Sequence, residues 1–275
     1  MDRTPPMRKD GFRERGHQVT RLEAFVDAAF AFAVTLLVIR VGTVPESVPA
    51  MVEALKGIPA FAASFALVAM FWHAHNTWSR RFGLDDGMAL FLSLLLVFLV
   101  LLYVYPLRMM FGLAFGWATR ALPEAWRIQS GYGGVELADV RRMYIVYAVA
   151  WSTLGFVVVL LYRHAWKLRA ALGLTVDEQV ATRVELVRWS IVPALGVLSM
   201  VLAMLLPFDD MRNAALAGIP GMVYALMAFT GAIMQVAERR ERARMQRAGI
   251  AMPPVPPATV VGPKRRRRRR NRVPA

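Results

Sequence analysis

Four polar side chains set in apolar surroundings are the places where this sequence could do chemistry: Asp27, His75, Asn76 and Ser93. Asp27 closes the stretch Arg21-Leu-Glu-Ala-Phe25-Val-Asp27. The run Ala-Ala-Phe-Ala-Phe-Ala-Val-Thr-Leu-Leu-Val-Ile39 follows it directly. A carboxylate costs roughly 2.5–3.5 kcal/mol at mid-bilayer and less near an interface, so such a residue normally faces protein or water. An acid and a histidine at that depth can relay protons, or they can lock helices together through a polar network. Metal chemistry is a poor fit. His73 and His75 are two residues apart, so on a helix they point some 200° from each other and cannot share an ion. There is no cysteine to supply a thiolate or a disulfide. His-Glu-x-x-His and Gly-x-Ser-x-Gly are both absent, so neither a metalloprotease nor a serine-hydrolase reading has a motif. No cofactor and no enzymatic activity are expected.

The four side chains fall in one layer. At 1.5 Å rise per residue, Asp27 lies about 9 Å along its helix from Arg21. His75 and Asn76 precede Arg80 by five and four residues, roughly 6–8 Å, and Ser93 follows Asp86 by about 10 Å. Trp72, one turn from Asn76, can pack against the layer or donate its indole N–H. A shared network is favoured over side chains that snorkel independently, because Asp27 is too short to reach far.

The elements that must position these residues are apolar helices. The sequence is 57% hydrophobic yet carries a net charge of +15, a combination that fits a multi-pass membrane protein with basic loops. Six apolar segments are visible, near 22–40, 58–79, 88–107, 143–162, 189–206 and 217–237. Each has about the length a spanning helix needs, and an open strand could not satisfy its backbone in lipid. The first is weakened by Asp27. The fifth carries Pro193 near its expected start, where a missing donor does least harm. With both termini inside, 26 of the 34 Lys and Arg residues lie on the cytoplasmic side. The expected fold is therefore all-α and polytopic, with six transmembrane helices and cytoplasmic N- and C-termini. Its parts are an N-terminal tail over 1–20, a membrane domain over 21–240 and a basic tail over 241–275. No apolar signal segment is visible in residues 1–20. Arginine outnumbers lysine 30 to 4, which reads as a bacterial, GC-rich coding sequence and places the protein in a bacterial plasma membrane.

Arg-x-x-x-Phe-x-Asp at the head of the first helix resembles the Arg-x-x-x-Phe-Ser-Asp signature of the lysosomal and bacterial transmembrane protein 175 family of potassium channels. Phe71-Trp72-His73-Ala-His75-Asn76 is similar to that family's second-helix Trp-x-x-His pattern, and the third span ending in Tyr105-Pro106 also fits. The likeness covers about residues 20–108. It implies a homotetramer around one potassium pore lined by the first helix, with apolar side chains constricting the path in place of a carbonyl filter. The matching positions are Phe32, Leu36 and Ile39, with Thr35 as the polar pore residue. The motif residues Arg21, Phe25, Asp27, Trp72 and His75, with Asn76 and Ser93 of the shared layer, are expected to form the structural network. Spacing alone agrees only in part: 32, 36 and 39 make one helical stripe, which ordinary packing also produces. Two departures stand out. Val26 occupies the motif serine position, and Phe32 stands where Ile or Leu is usual.

Other signals are weaker. Gly131-Tyr132-Gly133 looks like part of a carbonyl filter, but Arg127, Gln129-Ser130 and Glu136 around it favour a loop turn. Gly112 and Gly116 form a Gly-x-x-x-Gly step. Residues 249–263 are rich in Pro and small residues, and the tail Lys264 to Arg272 is basic, so this end is expected to be disordered. Directly inside a membrane, attraction to anionic lipid is a simpler role for it than nucleic-acid binding. The favoured function is a potassium-favouring cation channel. The alternatives are a proton-coupled transporter using Asp27 and His75, for which no inverted repeat is visible, and a non-conducting scaffold.

Overall fold

The computed structural model describes residues 11–16, 18–39, 46–128, 136–208 and 211–248. Among them the chain is all helical: α1 Arg21–Ile39, α2 Val48–Lys56, α3 Ile58–Phe82, α4 Gly87–Ala118, α5 Leu137–Lys167, α6 Val176–Leu205, the single turn α7 Ile219–Met222, and α8 Thr230–Arg247. Four helices (α3, α4, α5 from Asp139, and α6) are long and apolar enough to cross a membrane. The 19 residues of α1 carry Arg21, Glu23 and Asp27, and α1 is not among those four.

Local chemistry explains where the helices begin and end. Thr20 and Glu23 cap α1 reciprocally: the Glu23 amide donates to Thr20 Oγ1 at 3.1 Å, and the Thr20 amide donates to Glu23 Oε2 at 3.4 Å. Thr175 and Glu178 form the same capping box on α6. That box moves the start of the helix from the expected 189 to Val176, leaving Pro193 inside it rather than near its start. Asp86 caps α4, accepting from the Ala89 amide at 2.8 Å. That helix continues through Pro106 to Ala118, well past the expected end at 107.

The segment expected as one helix over 217–237 departs most. It is built from a 3₁₀ run Met211–Gly218, the turn α7, a second 3₁₀ run Val223–Phe229, and then α8. Gly218, Pro220 and Gly221 fall within four residues. Proline removes a donor and glycine is a poor helix former, so an uninterrupted α-helix is disfavoured there. The charged end of α8 extends to Arg247.

The core runs through α1, α3, α4, α5 and α6, from Val26, Phe30, Ala33 and Leu37 on α1 to Trp189 and Val192 on α6. Phe71 anchors it, with its ring 6.2 Å from Trp151 and 5.9 Å from Trp189. The α5–α6 pair packs closely because Gly155 and Gly196 face the partner helix. A Cβ at Gly155 would lie 2.5 Å from Val192, and one at Gly196 2.2 Å from Ser152 Oγ.

Candidate functional site

The layer of polar residues resolves into two separate pairs. Trp72 Nε1 on α3 donates to Asp27 Oδ1 on α1 at 2.8 Å. His75 Nε2 and Ser93 Oγ, on α3 and α4, are 2.9 Å apart. The second pair is buried, with His75 3% and Ser93 0% exposed. The first lies at the open edge of the bundle, where Trp72 is 38% exposed. Helical spacing accounts for the split: Trp72 and His75 are three residues apart, so one reaches α1 while the other turns toward α4. Asn76 is half-buried, and Arg21 and Phe25 are exposed. None of these three hydrogen-bonds through its side chain to either pair among the described residues. His73 is exposed and faces away from buried His75.

α1 has two unlike faces. Glu23, Val26, Phe30, Ala33 and Leu37 are buried against the bundle. Val26, at the position where the motif has serine, is fully buried among apolar neighbours. The opposite face is open: Phe25 is 56% and Phe32 55% exposed, and Thr35 is exposed with its hydroxyl donating to the Ala31 carbonyl at 3.0 Å. Leu36 lies between the two faces, half-buried against the core. The side chain of Ile39 lies outside the described residues, as do Gly131–Gly133 and Lys264–Arg272.

Two arrangements at the ends of α1 went unforeseen. At its start, residues 12–16 lie across the ends of α3 and α6. The buried Glu178 carboxylate receives Arg15 Nη1 at 3.0 Å and Arg15 Nη2 at 2.8 Å, along with the Arg13 amide at 2.8 Å and the Thr175 amide at 2.9 Å. Phe12 is buried edge-on to Phe82 at 5.6 Å, with the Arg81 guanidinium 4.8 Å over its ring. The Arg15 and Gly16 amides donate to the Arg80 carbonyl. Gly83 makes this contact possible. Its φ of +58° ends α3 in the left-handed region, and a Cβ there would lie 3.0 Å from the Arg15 backbone. Arg80 Nε is 3.5 Å from buried Glu23, tying the same segment to the first turn of α1.

At the other end of α1, Arg108 Nη1 donates to the Leu37 carbonyl at 2.8 Å. The last carbonyls of a helix have no internal partner, and α1 has no basic residue of its own in its last turn. Arg108 supplies that donor from α4.

Outside the spans, Asp86 also meets His164, with Nε2 2.7 Å from Oδ2. Burial acts to raise the Asp86 carboxyl, but the Ala89 amide and His164 outweigh it and hold the group below its ordinary value.

Residues 21–104 match the family described as endosomal/lysosomal potassium channel TMEM175. A protein named potassium channel from Marivirga tractuosa is 28% identical over 237 residues, covering 83% of this chain and 93% of that protein. Among solved structures, the fold is similar to a crystal structure of a variant of the potassium channel MtTMEM175, determined with a nanobody–MBP fusion protein. The TM-score is 0.69 at 26% identity, over 84% of this chain and 99% of that one.

Proposed function

From its similarity to the TMEM175 family of potassium channels, we propose that this chain is itself a potassium-favouring channel whose pore is lined by α1 in a homotetramer. The observation that carries this reading is the open face of α1. A helix whose one side is fully packed presents Phe32 and Thr35 on the other, with Phe32 55% exposed in the single chain. One such helix cannot enclose a water path, so several copies around an axis are needed. Facing that axis, Phe32 and Leu36, with Ile39 a turn beyond Leu36, form an apolar constriction that gates by dewetting. Thr35 adds one hydroxyl between them. The polar pairs are structural: Trp72–Asp27 sets α1 against α3, and His75–Ser93 sets α3 against α4. Orientation follows the loop charges, with the Arg21 end of α1 and both termini cytoplasmic, and the broken segment 217–229 continued by α8 completes a sixth crossing.

The two-pair geometry supports this reading over a proton relay. A relay needs a continuous chain of exchangeable groups, whereas His75 pairs with Ser93 and Asp27 with Trp72, whose indole N–H donates but cannot accept. The deciding experiment uses purified protein in liposomes loaded with potassium. Potassium efflux that persists with the proton gradient collapsed, and exceeds sodium efflux, is the expected result. Flux that needs the gradient overturns the channel in favour of a transporter, and no flux at all overturns both in favour of a scaffold.

A further inference from the structure

A cavity of about 790 Å³ lies between the second half of α4, the first half of α5 and segment 217–227. Its existence follows from the broken sixth segment. Gly218 and Gly221 settle against the aromatic rings of the longer helices: a Cβ on Gly218 would be 3.3 Å from the Trp117 ring, and one on Gly221 3.0 Å from the Tyr144 hydroxyl. The segment therefore rests on those rings and leaves the volume behind them open. Phe111 and Tyr147 wall the interior, with Tyr147 stacked on Trp151 at 6.0 Å between centroids.

The space has the size of a ligand site rather than of a packing defect. Water fills it poorly, because most of the wall is hydrocarbon; besides Arg120 its polar groups are the Tyr144, Tyr147 and Tyr224 hydroxyls and the indole N–H groups of Trp117 and Trp151, too few to hold water throughout the volume. Among the described residues, the one charged residue on the wall is Arg120, next to Trp117, with its guanidinium 4.7 Å over that ring. Both are exposed. A hydrocarbon interior with one cation at its edge fits a molecule with an apolar chain and an anionic head. Exposed Trp117 and half-buried Tyr144 suit the headgroup level of a bilayer, where amphipathic rings concentrate.

We infer that this cavity is a phospholipid site: one acyl chain occupies the space between α4, α5 and segment 217–227, and the lipid phosphate pairs with Arg120. The inference rests on the reading that the bundle spans a membrane, but not on whether it conducts.

The test places the full chain in nanodiscs containing phosphatidylglycerol with a diazirine on its acyl chain, and maps the photo-adducts. The expected result is labelling of 110–117 and 217–227 that saturates as the probe fraction rises, as a site does. Labelling at Phe98, on the exposed face of α4, should rise in proportion as bulk lipid does. Ala114→Phe fills the cavity from an exposed wall position and should cut adducts there at least fivefold, while Ala114→Ser leaves them. Arg120→Gln should weaken labelling several-fold, and Arg120→Lys should largely restore it. Labelling at 110–117 that tracks the probe fraction without saturating overturns the site, whatever the flux assay gives. No lipid adduct at these residues, together with a bifunctional thiol reagent joining Ala114→Cys to the same position of a second copy, overturns it in favour of a subunit contact.

Discussion

Trp72 and Asp27, 45 positions apart in the chain, are joined by one indole N–H donated to one carboxylate oxygen at 2.8 Å. His75, a turn along the same helix, takes no part in that bond and pairs with Ser93. Coupling between residues should follow these pairs. Deleting one partner of a hydrogen bond costs about 0.5–1.5 kcal/mol, and more where a charged group is left unsatisfied. Asp27→Ala with Trp72→Phe, and His75→Ala with Ser93→Ala, should each lose less together than the sum of the single changes. Asp27→Ala with His75→Ala should be close to additive. Thermal unfolding of the seven variants and the parent in one detergent measures all three cycles. Strong coupling in the Asp27/His75 cycle would show that the layer acts as one network.

The open face of α1 gives a second prediction. Phe32→Asn and Leu36→Asn place an amide where an apolar group expels water, so potassium flux should rise several-fold and discrimination against sodium should fall. Phe98 on α4 is equally exposed, at 60%, but belongs to a helix proposed to meet lipid. Phe98→Leu should leave flux unchanged. Ala33 is unsuitable as a control on α1 because it is fully buried, and Ala33→Ser would test packing. Equal gains from Phe98→Leu and Phe32→Asn in a liposome assay would mean that α1 does not line the path.

Arg15 and Glu178 make a third test. Glu178→Ala leaves a guanidinium and two backbone amides without their acceptor, and breaking a buried ion pair costs about 3–5 kcal/mol. The double change Arg15→Met, Glu178→Met removes both charges and should recover much of the loss. Urea unfolding followed by tryptophan fluorescence would compare the two variants with the parent.

Asp86 carries the pH dependence. Its carboxyl titrates lower in the folded chain than in the unfolded one, so the ionised group stabilises the fold above the ordinary carboxyl range, near pH 4. That contribution is lost as pH falls through the lowered folded value. Asp86→Ala should cost about 1 kcal/mol at pH 7, the usual worth of an N-cap. The difference in melting temperature between the parent and Asp86→Ala should hold from pH 7 to about 5 and close as the medium becomes more acidic. A difference that widens toward acid would reverse the sign assigned here.

At the far end of α1, Arg108→Met removes the donor that satisfies the Leu37 carbonyl, and the last turn should fray. Amide hydrogen exchange there should quicken relative to the middle of α1, with Arg108→Lys intermediate. Unchanged exchange in Arg108→Met would show that the last turn is held by packing alone.

Much of this was legible in the sequence, and the failures have physical causes. Apolar runs and helical spacing placed Asp27, Trp72, His75 and Ser93 at one depth, but depth does not say which way a side chain turns. Trp72 and His75 diverge by the rotation of three residues. The early start of α6 could have been read from Thr175-x-x-Glu178, and the start of α1 from Thr20-x-x-Glu23, since both are capping-box patterns. Hydropathy hid the first of these because the opening turns of α6 are polar. Nothing local marks Glu178 as the partner of Arg15. Likewise, the apolar composition of 217–237 outweighed Gly218, Pro220 and Gly221, which interrupt the helix.

The clasp between Arg15 and Glu178 also orders events during synthesis. Its halves are separated by 163 residues, so the N-terminal segment leaves the ribosome long before its acceptor exists. Until α6 is made, Phe12 and Arg15 lack the Glu178 side of their seat, and the entry into α1 remains unlatched. Non-local contacts of this span form late. A nascent chain halted before residue 178 should therefore keep residues 12–16 open to protease, and one halted well beyond it should not.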